Sequence, residues 1–136
     1  MKKSSLSALF VLLVFSSCNS DDDVSALNQI NGTWNLARVT DGFAGVNIAY
    51  SRGDVVWIFN EASKNLDVMN LIENTGPEDI YSGPDTGSYT YEITSEDEIE
   101  TLRFNNADRG TFTIVNDSLI INKGIVSEGA ITIFIR

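Results

Sequence analysis

The residues able to do chemistry are few. The chain has 136 residues, one cysteine and no histidine. Without histidine, Ser-His-Asp and Cys-His catalysis and histidine-based zinc sites fall away. The one thiol, Cys18, follows the small residues Ser16 and Ser17 and precedes "NSDDD" (19–23). In a secreted chain a lone cysteine has no disulfide partner within the molecule and is a reactive thiol unless something modifies it. Carboxylates are plentiful, 19 acids against 9 bases, for a net charge of −10. Asp21, Asp22 and Asp23 form a run, but nothing beside them supplies the spaced oxygen ligands and glycine of a calcium loop. Glu96, Asp97, Glu98 and Glu100 cluster in a hairpin region, where solvated charge is the common explanation. Composition leaves open a carboxylate pair for glycoside hydrolysis, which would need two acids facing each other in a cleft. No glycine loop for phosphate precedes a helix. The expectation is a protein that is not an enzyme and uses no metal or cofactor.

The elements that would position Cys18 come next. Lys2 and Lys3 open the chain, an apolar run covers residues 6–15, and small residues follow. That order is the pattern of a secretory signal peptide. The run is shorter than the roughly 20 apolar residues of a membrane-spanning helix, which leaves an uncleaved anchor as the weaker alternative. Cys18 at this place resembles the lipobox of bacterial lipoproteins, although Phe15 stands where leucine is usual. The resemblance implies cleavage before Cys18 and a diacylglycerol on its sulfur, with the new amine acylated. More than one acyl chain anchors stably, since each buried methylene contributes about 0.8 kcal/mol. Ser20, Asp21, Asp22 and Asp23 resemble the acidic export signal of surface lipoproteins of the Bacteroidetes, which implies an outer-membrane, lipid-anchored protein at the cell surface. A plain solvated tether is the alternative. The expected organisation is a signal peptide at 1–17, a lipidated acidic tether at 18–29 and one domain at 30–136. Loss of the two lysines takes the net charge from −10 to −12. Such an excess disfavours nucleic acid and repels an anionic lipid surface.

From residue 30 onward the signal has period two. "TWNLARV" (33–39), "DVVWIF" (54–59), "LDVMNL" (66–71), "SYTYEIT" (88–94), "IETLRF" (99–104), "TFTIV" (111–115), "SLIIN" (118–122) and "AITIFIR" (130–136) are β-branched and aromatic runs of strand length. Residues 60–65, 105–110 and 116–117 read as short turns, so sequential strands should be antiparallel neighbours. A short helix between residues 41 and 52 is the only helical candidate. The pattern predicts an all-β fold, an antiparallel up-and-down β-barrel of about eight strands or a sandwich. Two connections are long, 40–53 and 73–87. Long loops in a compact domain are often functional, and otherwise are ordinary crossovers. Phe43, Tyr50 and Tyr81 are large aromatics within them, and aromatics are favoured anchors for ligands and partners.

"NGTWNL" (31–36) places Gly32 and Trp34 at the head of the first strand. This Gly-x-Trp resembles the lipocalin signature, closest to the small lipocalin-like domains of bacterial lipoproteins, and covers residues 30–136. The later "VVWIF" and "LIIN" strands and the closing "FIR" fit the same pattern. The domain is shorter than a typical lipocalin, lacks a disulfide, and has no helix expected after the barrel. The resemblance implies a barrel with one closed and one open end, a small apolar ligand within, and Arg136 covering Trp34 at the closed end. Trp34, Trp57, Phe59, Tyr89, Tyr91, Phe104, Phe112 and Phe134 are the large inward candidates. They would either line a binding cavity or fill the barrel outright. The first reading puts a ligand at the open end near Phe43, Tyr50 and Tyr81. The second makes the protein a solid-core interaction module contacting an envelope protein or a glycan through loops 40–53 and 73–87.

Overall fold

The alternating runs pair into one closed sheet. The computed structural model describes residues 29–41, 45–76, 79–124 and 129–136, so Cys18, Ser20, Asp21, Asp22, Asp23 and Phe43 lie outside the described residues. Nine strands are described: β1 (Gly32–Asp41), β2 (Val46–Ala49), β3 (Val55–Asn60), β4 (Asn65–Asn70), β5 (Gly87–Glu96), β6 (Ile99–Phe104), β7 (Ala107–Val115), β8 (Ser118–Asn122) and β9 (Ile131–Ile135). Each strand from β3 to β9 pairs antiparallel with the next, β1 pairs with β3, and β9 returns to β1. This is an up-and-down barrel of eight strands, with β2 as an addition.

β2 is better seen as the first half of β3. Both lie antiparallel to β1, with Ala49 opposite Arg38 and Val56 opposite Asn35. Three steps along β1 are thus met by seven on the other side, and the four extra residues bulge out as a turn. The Tyr50 N–H still reaches the Ala37 carbonyl at 3.0 Å, and the Asp54 side chain accepts from the Ser51 N–H at 2.9 Å. The helix considered between residues 41 and 52 is therefore not there: residues 46–49 are strand. β-Branched Val46 and Ile48 suit a pleated surface, and the edge of β1 beyond Asn35 needs a partner.

The turns between strands are tight. Asp97-Glu98 and Asn105-Asn106 have positive φ at both central residues, the geometry that matches strand twist in two-residue hairpins. The connection expected over residues 105–110 shrinks accordingly to Asn105-Asn106, and residues 107–110 belong to β7.

The inward faces make one core. Seven of the eight large candidates are buried, Trp34 and Phe134 among the most completely, and Tyr89 packs against them half-buried. Trp57 is central, its ring 4.5 Å from Phe134, 5.4 Å from Phe104 and 6.1 Å from Phe59. A bulge keeps β1 in phase with this core. Leu36 faces Phe134 and Arg38 faces Ile133, so Ala37 is the extra residue. After it Arg38 is exposed while Val39 is buried.

One end of the barrel is sealed. The Trp34 indole N–H donates to the Ile30 carbonyl at 2.7 Å, and both residues are fully buried. The Arg136 guanidinium lies over the indole, 4.3 Å from its centroid, and donates to the Gln29 carbonyl. Arg52, from the turn between β2 and β3, donates to the Arg136 backbone oxygen at 3.0 Å. The interrupted strand, the entering chain and the last residue are thereby tied at one place. Arg136→Ala should lower the unfolding free energy by about 0.5–2 kcal/mol, the range of a cation–π contact. A urea midpoint equal to that of the parent would show that the contact contributes nothing.

Candidate functional site

The other end is not filled. A cavity of about 180 Å³ lies there, between the ends of the strands and the segment 80–84. Its floor is apolar: Trp57, Phe104 and Phe134, with Val39 and Ile121 on the walls. Ile80, Tyr81, Ser82, Gly83 and Pro84 form the roof, and Lys123, Ala130 and Thr132 complete the rim.

The roof comes from the long connection between β4 and β5, which Asn70 organises. Its side-chain amide donates to the Ser82 hydroxyl and to the Pro84 carbonyl, each at 3.0 Å. Its side-chain oxygen accepts from the Ile72 N–H at 3.1 Å. Its backbone N–H and carbonyl are both met by the Thr86 hydroxyl, at 2.9 and 3.1 Å. A single 3₁₀ turn, Asp79–Ser82, carries Tyr81 into the cavity wall. The Asp79 carboxylate fixes the start of that turn by accepting the Thr75 and Gly76 N–H groups at 2.8 and 2.7 Å. Those two backbone donors hold its pKa below the ordinary carboxylate range. Gly83 takes φ +97°, a backbone conformation that side chains rarely adopt, where the roof passes the Trp57 ring.

Arg109 is the residue that sequence reasoning missed. β6 and β7 pair Arg103 with Asp108 and Leu102 with Gly110, so Arg109 is an extra residue. In the register set by the Asn105-Asn106 turn Arg109 falls on the inward side, towards Leu102; the bulge adds it there, moves Gly110 opposite Leu102 and so brings Phe112 inward as well. Bulges re-aim side chains in this way. Asp108 holds the outward place opposite Arg103 and ion-pairs with it at 2.7 Å. Arg109 goes onto the cavity wall, its guanidinium carbon 4.0 Å from the Phe104 centroid. Gly110 makes the bulge possible: its φ is +117°, and a Cβ there would sit 2.4 Å from the Asn122 carbonyl oxygen. The signal was present as "DRG" (108–110), a glycine within a strand pattern.

The charges at this site are distinctive. Arg109 makes one hydrogen bond, to the Phe104 carbonyl at 3.3 Å, and forms no ion pair among the described residues. Burial pulls its pKa below the usual arginine value, opposed by nearby Tyr89. Among the described residues its Nε–H has no partner, and neither has the indole N–H of Trp57. Lys123 is a second cation on the same rim.

Of the three loop aromatics expected at a ligand, Tyr81 lines the cavity and is half-buried. Tyr50 does not line it: the break between β2 and β3 packs its ring against the core. Burial, and then the charge of Asp79, raise the Tyr50 pKa. Gly32, Trp34 and Arg136 belong to the sealed end. The clustered acids Glu96, Asp97 and Glu98 are exposed around the β5–β6 turn, away from the cavity.

Asn70→Ala removes three side-chain hydrogen bonds under the roof and leaves partly buried groups unpaired. It should destabilise the protein by about 1–3 kcal/mol and speed amide exchange in residues 79–86 more than in the strands. Uniform exchange across the barrel would show that Asn70 does not organise the roof.

The chain matches no protein-family model, no curated protein and no solved structure to which it was compared.

Proposed function

We propose that this is a lipid-anchored surface lipoprotein whose lipocalin-like barrel binds a small molecule, without chemistry, in the cavity beneath the segment 80–84. The observation that carries the binding half is the cavity itself: an apolar floor with a few polar groups at its rim, the usual composition of a ligand pocket. Its size limits the ligand. About 180 Å³ is well below the roughly 300–1,000 Å³ of pockets for drug-sized molecules. It is nearer the ~150 Å³ of an engineered cavity that takes benzene. Sterols and haem are too large. The anchoring half rests on the order of lysines, apolar run, small residues and Cys18, followed by Ser20, Asp21, Asp22 and Asp23.

A second reading has its own support. Leu71, directly after β4, and Ile80, at the start of the roof segment, are each 64 % exposed. Together with the largely filled barrel they favour an interaction module that meets an envelope protein or glycan through loop 73–87.

A thermal-shift series of small aromatic and short aliphatic compounds separates the two. A ligand at 100 times its dissociation constant should stabilise by about 2.7 kcal/mol and raise Tm by several degrees. No shift with any compound of this size would leave the interaction module standing. For the anchor, labelling with a palmitate analogue should mark the parent chain and not Cys18→Ser. Equal labelling of both would remove Cys18 as the lipid site.

A further inference from the structure

We infer that the cavity selects a small organic anion, an apolar body of about benzene's size bearing one carboxylate, which the Arg109 guanidinium and the Trp57 indole N–H receive together. The inference rests on the reading of the cavity as a ligand site and adds the ligand's chemical class.

Two buried nitrogens, Arg109 Nε and Trp57 Nε1, have no hydrogen-bond partner among the described residues, and both belong to side chains that line the cavity and only donate. Both side chains pack on Phe104, Trp57 edge-on at 5.4 Å and Arg109 over the face at 4.0 Å. These two donors are met by no acceptor of the described residues, and a buried donor without an acceptor is destabilising. A ligand that relieves this must bring oxygens.

Charge then separates an anion from a neutral acceptor. The guanidinium is half-buried and makes no ion pair among the described residues, and Lys123 adds to the positive rim. Asp41, the buried acid of β1, has a partner of its own and is not on the cavity wall. An uncompensated cation in low-dielectric surroundings is costly, and a carboxylate beside it offsets that cost. The fork of the guanidinium also matches the two oxygens of a carboxylate. This cationic wall stands inside a chain of net charge −10, so it is a local feature and not the drift of composition. The apolar floor of Trp57, Phe104 and Phe134 sets the rest of the ligand.

Phenylacetate and its neutral isostere phenylacetamide test this on the full chain in detergent. The chain has two tryptophans, and only Trp57 lines the cavity. Trp34 is already bonded to Ile30 and serves as the internal control for folding. Phenylacetate should shift the Trp57 indole N–H resonance, leave that of Trp34 in place, and bind at least tenfold more tightly than phenylacetamide. Arg109→Gln should abolish the preference, and Arg109→Lys should keep part of it. If the two probes bind the parent equally, or if the preference survives in Arg109→Gln, the anion inference is overturned and the cavity reading stands. If neither probe moves Trp57, both are overturned. The comparison of probes on the parent decides the matter even if the variants fail to fold.

Discussion

Pairing of β1 with β9 is the constraint on which the rest of the molecule depends. An open sheet of these strands would leave two edges with unpaired backbone groups. Closing it removes both edges and at the same time fixes the radius, because strand number and stagger set the diameter of a barrel. The interior then has a set volume that side chains must fill at crystal-like density. Trp57, Phe59, Phe104 and Phe134 do this through the middle, and Trp34 with Ile30 does it at one end. The other end receives shorter side chains and a loop laid across it, and the cavity is what remains.

The irregularities sit where closure alone would not place a needed group. Ala37 in β1 shifts the phase of one strand and keeps Val39 inside. The four extra residues between β2 and β3 bring Arg52 to the sealed end. Arg109 in β7 is the one whose side chain lies against the cavity. Without that bulge the phase set by the Asn105-Asn106 turn would send Phe112 outward. Gly110 is the residue that tolerates the departure, and its close approach to Asn122 leaves no room for any other.

Much of the barrel was legible in the sequence because alternation is a direct image of a two-sided sheet. Trp34 and Leu36, Tyr89 and Tyr91, and Leu102 and Phe104 declared their faces, and Asn116-Asp117 declared a turn. The position of Arg136 over Trp34 was reached from a family resemblance, and the contact is present at 4.3 Å. β2 was not legible: four residues between glycines carry too little pattern, and their pairing depends on an edge of β1 that only the folded barrel leaves free. The cavity wall was not legible for a related reason. Reading residues 105–110 as a loop hid the start of β7 and its bulge, and with them the inward place of Arg109. Aromatics in glycine-rich loops gave one wall residue, Tyr81, but composition could not tell it from Tyr50, whose place is decided by a backbone bond to Ala37. Whether large inward residues fill a barrel or line it is a question of volume to within about one benzene ring, below what residue types alone determine.

The sealed end has a directional consequence. The described chain enters at Gln29, directly beneath Trp34, and its last residue returns to the same spot. A load arriving from the residues before Gln29 therefore falls on the Ile30–Trp34–Arg136 plug, at the pole opposite the cavity. A leash on the residues before Gln29 would hold the barrel like a cup by its base, rim outward. Tension on that leash would bear on the Ile30–Trp34–Arg136 plug before it reached Asn70 and the roof it supports.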